Sequence, residues 1–86
     1  MANLYCEVLT PDGRAFAGEA TIVEAFAVDG GLGILPRHAP LLTALGKGPL
    51  LVRLPDGTEK RWQIDGGFLE VLDDKVSIAA ERISEG

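Results

Sequence analysis

The chain has 86 residues and a formal net charge of −5; 47% of its residues are hydrophobic and 24% are charged. This length predicts one domain, residues 1–86, with enough apolar material for a core. The acidic balance argues against a nucleic-acid-binding protein, which would carry a basic surface.

The chain has a single cysteine, Cys6. One cysteine excludes an intramolecular disulfide and a cysteine-rich metal site, and it makes a reducing, cytosolic compartment the default expectation. The opening residues, MANLYCEVLT, lack the basic and apolar regions of a signal peptide and are not Arg-rich like a transit peptide. No apolar run approaches the ~20 residues that cross a bilayer as a helix. We therefore expect a protein that does not insert into a membrane.

The first third of the chain has the two-residue alternation of β-strands. Residues 4–8 alternate between apolar and polar side chains, and Pro11-Asp12-Gly13 predicts a turn after them. Residues 20–28 are small or apolar on both faces, which predicts a strand that lies between two layers.

Residues 30–45, GGLGILPRHAPLLTAL, have a different character. Their three glycines allow positive φ or a close backbone approach. Pro36 and Pro40 fix φ and remove two backbone donors, so the run between them is predicted to be neither a central strand nor a helix interior. The leucines and the isoleucine of this segment are too apolar for a solvated loop. We expect an irregular segment that is held against a core or another protein.

Strand patterns return after residue 50. Residues 50–54 and 60–64 form a predicted hairpin closed by Pro55-Asp56-Gly57, with Glu59, Arg61 and Gln63 facing water. Gly66-Gly67 predicts a bulge or a close-packing site. Two further strands, joined by a turn at 73–75, are predicted over the segments 68–72 and 76–79, and residues 79–86 could begin a helix of one or two turns.

These elements predict an all-β fold, a flattened β-sandwich or barrel of about eight to ten short strands with no helical hairpin. Trp62 and Phe68 are predicted to be core residues, because large aromatic side chains dominate burial in small domains.

The glycines do not form a phosphate-binding motif. Gly31-Leu32-Gly33 lacks the third glycine of a dinucleotide fingerprint, and Gly46-Lys47-Gly48 lacks the Ser or Thr of a P-loop. His38 has no second histidine or nearby cysteine with which to hold a metal, and Asp29 is the only carboxylate close to it in sequence. We therefore predict no catalytic residue, no cofactor and no metal site. The residues by themselves indicate a β-sandwich that serves as an interaction module.

Several motifs spread over residues 4–81 indicate a protein family more specifically together than any one of them does alone. They are Thr10-Pro11 followed by Phe16 and Gly18-Glu19, then Gly33-Ile34-Leu35-Pro36, His38-Ala39-Pro40-Leu41-Leu42-Thr43, Gly66-Gly67-Phe68-Leu69-Glu70-Val71, and Val76 to Ala80. In this order and spacing they resemble the amino-terminal β-sandwich of the epsilon subunit of F-type ATP synthases.

The resemblance implies a non-catalytic central-stalk (rotor) subunit of a proton-translocating ATP synthase. In that family the sandwich clamps the gamma subunit and rests on the ring of c subunits, so that rotation is coupled to ATP synthesis. The positions that match the gamma-facing surface are Thr10, His38 and Thr43, and those that match the c-ring-facing segment are Asp29, Gly30, Gly31 and Leu32. Such a subunit is peripheral to the membrane, on the cytoplasmic face of a bacterial inner membrane or on a thylakoid membrane.

The sequence also departs from the family pattern. Gly31 stands where the family often has an acidic residue, and Arg37 stands where it usually has glycine. Most members continue into a helical hairpin that can inhibit ATP hydrolysis, whereas this sequence stops at Gly86, before such a hairpin. We therefore expect this form to couple rotation without inhibition through a hairpin. The alternative prediction is a free-standing small β-sandwich that binds a ligand or acts as an adaptor.

Overall fold

The computed structural model describes residues 3–86, which form seven strands and no helix. The strands are β1 (Leu4–Thr10), β2 (Gly13–Ala20), β3 (Ile22–Ala27), β4 (Gly30–Ile34), β5 (Leu41–Arg53), β6 (Glu59–Leu72) and β7 (Lys75–Glu85). The predicted all-β class is confirmed. The strands are fewer and longer than predicted, because β5 and β6 run for 13 and 14 residues through glycines that looked like breaks in the sequence.

The strands form one sheet in the order β2-β1-β7-β6-β5-β3-β4. The β1–β7 pair is parallel and every other pair is antiparallel. The long strands β5, β6 and β7 lie in the middle of this order, so they determine how the sheet bends.

The middle strands pass from one layer of the sandwich to the other. In β6, Trp62 and Ile64 turn toward the core before the glycines, whereas Leu69 and Val71 do so after them. The odd spacing from Ile64 to Leu69 reverses the faces of the strand, while the pairing of β6 with β5 and β7 keeps one register on both sides of the glycines. Buried positions in β5 and β7 change spacing at the same level. Because the three strands change faces together without an extra residue, they bend at the same level, and strands that switch layers through such bends form the corners of a sandwich.

Gly66 and Gly67 lie at this bend and have positive φ values of 83° and 132°. Of the two predictions for these residues, the close-packing site is confirmed, since a β-carbon at Gly67 would overlap the backbone of Ala79, whereas the unbroken register of β6 with β5 and β7 shows no bulge. β1, β2 and the neighbouring halves of β5–β7 make the first layer, and β3, β4 and the other halves of β5–β7 make the second.

A single core lies between the two layers and takes side chains from all seven strands. Fully buried members include Val8 in β1, Val23 in β3, Ile34 in β4, Leu69 in β6 and Ile78 in β7. The ring of Phe16 in β2 lies 6.0 Å from that of Trp62 in β6, although two strands separate β2 from β6 within the sheet. This contact joins the first layer to the second.

Four expectations from the sequence are wrong in detail. Phe26 is 47% exposed, so β3 buries one face rather than two. Phe68 is 58% exposed, because the bend at Gly66-Gly67 turns it away from the core. Residues 79–85 continue β7 instead of forming a helical turn, since β6 offers a paired edge as far as Trp62 opposite Glu85. Within 30–45, only 35–40 is irregular, since residues 30–34 and 41–45 pair in β4 and β5.

Candidate docking surface

The outward side of the first layer carries a set of exposed apolar side chains. We call this set the outer face, and its members are Tyr5, Leu9, Leu42, Phe68 and Leu72. Leu42 is 69% exposed and Leu72 is 51% exposed. One exposed leucine is ordinary, whereas a contiguous set of exposed apolar side chains marks an interaction surface.

The strand register places these side chains in neighbouring rows. Phe68 lies opposite Ala44 on one side and Ala79 on the other, and Ala79 in turn lies opposite Leu9. Side chains that are directly opposite in adjacent strands have Cβ atoms about 4.5–5.5 Å apart. The row is therefore a continuous apolar strip across β5, β6, β7 and β1.

Charged residues interrupt the outer face, and one of them, the exposed Lys75, lies opposite both Tyr5 and Leu72. Glu70 lies opposite Leu42 and Ser77, and Glu7 lies opposite Ser77 on the other side. Glu7 is paired with Arg14 at 3.1 Å. Of these two carboxylates, the structure thus gives a cationic partner to Glu7, at the β1 side of the outer face, and none to Glu70.

The predicted c-ring-facing residues lie together at the β3–β4 hairpin. Asp29 and Gly30 are exposed at its tip, and Gly31 and Leu32 follow in β4, which is an edge strand. The hairpin adjoins the outer face, because the N–H of Val28 donates to the carbonyl of Ala44 in β5 at 3.1 Å.

Gly31 lies beneath an aromatic ring. A β-carbon at position 31 would make ordinary contact with Phe26, 3.5 Å from Cε1, and the backbone there has no positive φ. A side chain can therefore be accommodated at position 31.

His38 lies in the β4–β5 connection, residues 35–40, which we call the His38 loop. Its N–H donates to the Leu35 carbonyl at 3.2 Å, and its Nδ1 lies 2.7 Å from the Ala39 carbonyl oxygen. Because a carbonyl oxygen only accepts, this contact places a proton on Nδ1. Arg37 is exposed, with a positive φ of 68°, and its backbone N–H donates to Asp74 Oδ1 at 2.6 Å.

The two threonines predicted to face gamma have local structural roles. The hydroxyl of Thr10 donates to the Gly13 carbonyl at 2.9 Å and accepts from the Asp12 N–H at 3.1 Å, so it holds the β1–β2 turn. Thr43 is half-buried opposite Leu69. β6 and β7 separate the strands of these two threonines, and His38 lies outside both, so the structure does not gather the three residues into one cluster.

Sequence analysis missed the outer face. Leu42 belongs to the motif that runs from His38 to Thr43, but the alternation of side chains along a strand does not show that it is exposed. Phe68 was predicted to be a core residue. The odd spacing between Ile64 and Leu69 is the signal that could have placed Phe68 outside.

The surface of residues 3–86 has shallow, open depressions of about 230–310 Å³, one of them lined by Lys47, Asp65 and Arg82. Within 3–86, no group of three or more His, Cys, Asp or Glu side chains is placed to hold a metal ion. A depression at the corner, between Leu45, Leu50 and Ile64, has no room for a water molecule. The same part of the chain contains no helix that could span a membrane.

The fold and the surface together define a small β-sandwich domain with one apolar sheet face. Residues 3–86 match the family described as the β-sandwich domain of the ATP synthase Delta/Epsilon chain, and the chain belongs to this family. The resemblance inferred from the motifs is therefore confirmed.

Bacterial relatives are similar over nearly the whole of this chain. It is 47% identical over 81 residues to the ATP synthase epsilon chain of an Exiguobacterium species, covering 94% of this chain and 60% of the relative. It is 43% identical to the ATP synthase epsilon chain of Chromohalobacter salexigens, covering 94% of this chain and 57% of the relative. The chain thus spans about three-fifths of the length of these relatives.

Two solved assemblies contain chains of the same fold. One is the OSCP/F1/c-ring structure of the Euglena gracilis mitochondrial ATP synthase, with a TM-score of 0.91 and 22% identity, covering 99% of this chain and 54% of that chain. The other is the central stalk/c-ring structure of the Tetrahymena thermophila mitochondrial ATP synthase, with a TM-score of 0.81 and 18% identity, covering 98% and 67%. At these identities the likeness is one of fold.

Proposed function

We propose that this chain is a non-catalytic central-stalk subunit of a proton-translocating F-type ATP synthase, which binds gamma and the c-ring and couples rotation to ATP synthesis. The observation that carries the proposal is the outer face, bordered by the β3–β4 hairpin and the His38 loop. A contiguous apolar strip across four strands is the kind of exposed patch that marks a protein interface, and it suits the buried centre of one, which is more apolar than the rest of the surface.

Gamma is the proposed partner of the outer face and the His38 loop. Phe68, Leu42 and Leu72 would supply the apolar centre of the contact, and His38 and Arg37 would supply polar contacts at its border. Thr43 would contribute through its place beside Leu42, and Thr10 by holding the turn at the end of β1.

The c-ring is the proposed partner of the segment from Asp29 to Leu32. Its glycines leave the backbone of an edge strand open to a neighbouring surface, and Asp29 brings a negative charge that suits basic groups on that surface.

The proposed role as a coupling element requires a rigid body, and the packing supports it. The core joins all seven strands, and the long strands β5, β6 and β7 run through both layers. The domain would lie at the cytoplasmic face of a bacterial inner membrane, or at a thylakoid membrane, held there by its partners. The alternative, a ligand-binding sandwich, would use one of the shallow surface depressions, because the depression at the corner has no room for a water molecule.

Binding to purified partners tests the proposal. We expect the chain to co-elute with gamma and to bind c-rings in detergent. Reversing the charge of the exposed Arg37 with Arg37→Glu should weaken gamma binding without changing the melting temperature, and Asp29→Lys should weaken c-ring binding in the same way. Failure of the unaltered chain to bind gamma would contradict the proposed function.

A further inference from the structure

We infer that Asp74 is the positioning residue that holds the His38 loop in the conformation it presents. Asp74 holds the loop in the free chain, and its effect on partner binding rests on the proposed function.

Asp74 lies in a turn whose backbone is unusual for its residues. Asp73 and Asp74 have positive φ values of 50° and 63°, and the flanking residues Leu72 and Lys75 are paired. Two central residues with positive φ make a two-residue hairpin turn of the type that favours Asn-Gly. A non-glycine residue at the second position needs a reason to be there.

The contacts of Asp74 supply that reason. Its Oδ1 accepts the backbone N–H of Arg37 at 2.6 Å, and its backbone carbonyl accepts the N–H of Tyr5 at 2.9 Å. The first bond is short and its acceptor is a carboxylate, which makes it stronger than a bond between neutral groups. One half-buried residue thus connects the β6–β7 turn to β1 and to the His38 loop.

The His38 loop depends on this contact for its place on the domain. Its other hydrogen bonds are internal: the His38 N–H to Leu35 and the His38 ring to Ala39. Among the hydrogen bonds of residues 3–86, the one from Arg37 to Asp74 is the only one that ties residues 35–40 to another element. Because His38 follows Arg37 directly, its side chain is positioned through this bond.

Two glycine variants of the same turn separate the loss of the hydrogen bond from Arg37 to Asp74 from the loss of a carboxylate in general. Asp73→Gly and Asp74→Gly each remove one carboxylate and each place glycine at a positive φ, which suits it. Only Asp74→Gly removes the acceptor of the Arg37 N–H. Asp74→Asn is the conservative variant, since asparagine keeps an Oδ1 acceptor and tolerates positive φ.

Amide hydrogen exchange of the free chain is the first measurement. Asp74→Gly should speed exchange at Arg37 by about tenfold or more, the scale expected for a bond to a charged group. Asp73→Gly should leave that rate unchanged and Asp74→Asn should restore most of the protection, with similar melting temperatures throughout. Equal exchange at Arg37 in the two glycine variants would overturn the inference.

Affinity for purified gamma is the second measurement. Asp74→Gly should weaken binding by about fivefold or more relative to Asp73→Gly, and Asp74→Asn should recover it. Equal affinities of the two glycine variants would overturn the role of Asp74 in binding. If the unaltered chain binds no gamma, the proposed function fails, whereas the exchange measurement still decides whether Asp74 holds the loop.

Discussion

Gly67 lies so close to the carbonyl oxygen of Ala79 that a β-carbon at position 67 would overlap it. This approach lies at the corner where β6 and β7 change layers. The faces on which Phe68 and its neighbours appear therefore depend on a backbone contact that only glycine permits.

Gly67→Ala should destabilise the domain by about 3 kcal/mol or more, since it adds a collision with fixed backbone to the strain of a positive φ. Gly13→Ala is the matched control: Gly13 has nearly the same φ, 127° against 132°, but open space at its Cβ position. It should cost about 1–2 kcal/mol, for backbone strain alone. Denaturant unfolding measures both, and equal losses would contradict the close approach.

The corner also shows how far the sequence predicts this fold. Alternation over residues 4–8 predicted a strand, and its apolar positions Cys6 and Val8 are buried, because the two-residue period holds as long as a strand does not bend sharply. It failed at Phe68, where the bend at Gly66-Gly67 reverses the faces of β6. The exposure of Phe26 was missed for another reason: periodicity shows that a face is apolar, not whether another layer covers it.

The candidate docking surface, too, could be predicted from the sequence only in part. Glycines and prolines marked the β3–β4 hairpin and the His38 loop, since both residue types restrict the backbone locally. The bond from Arg37 to Asp74 joins residues 37 positions apart. No local pattern contains such a contact, so the sequence could not predict it.

Cys6 should make stability depend on pH in the alkaline range. Burial raises the pKa of its thiol from 9.0 to about 12, and the charge of Glu7 adds to the effect. The folded state thus keeps a proton that the unfolded state loses above pH 9, so the free energy of unfolding should fall as pH rises from about 9 to 12. The slope from this group is at most about 1.4 kcal/mol per pH unit.

Cys6→Ala is the control for this pH dependence. It removes the thiol while the other alkaline-titrating groups remain, so its unfolding free energy should fall less steeply between pH 9 and 11. Identical slopes in urea unfolding series of the two proteins would show that Cys6 does not titrate differently on folding.

Glu59 should titrate below its ordinary range. Hydrogen bonding from Arg53 is the main reason that its pKa is lowered, and Arg61 adds to it. Arg53 reaches Oε2 with Nε at 3.1 Å and Nη2 at 2.6 Å, whereas Arg61 reaches Oε1 with one nitrogen at 3.0 Å. The stabilisation is therefore present above the ordinary glutamate pKa and lost as pH falls through the lowered value.

A carboxyl NMR titration tests this assignment. Arg53→Gln should return the pKa of Glu59 toward its ordinary value more than Arg61→Gln does. The opposite order would show that the fork from Arg53 is not the dominant contact in solution.

Trp62 and Phe68 should respond differently to truncation. Trp62 is half-buried against the core and meets Phe16 across the layers, so Trp62→Ala should cost about 2–3 kcal/mol, below the value for a fully buried ring. Phe68→Ala should cost less than about 1 kcal/mol, since the ring is mostly in solvent. Thermal and denaturant unfolding compare the two, and a larger loss for Phe68 would reverse the assignment of inside and outside.

The affinity of the chain for purified gamma, measured by titration calorimetry, tests the central claim most directly. Phe68→Glu and Leu42→Glu place charge in the outer face, and Phe26→Glu places it on an exposed aromatic position of the second layer. We predict that each outer-face variant keeps its fold and loses affinity by about tenfold or more, as expected for charge in an apolar interface centre, whereas Phe26→Glu binds like the unaltered chain. Full affinity in both outer-face variants would contradict the account.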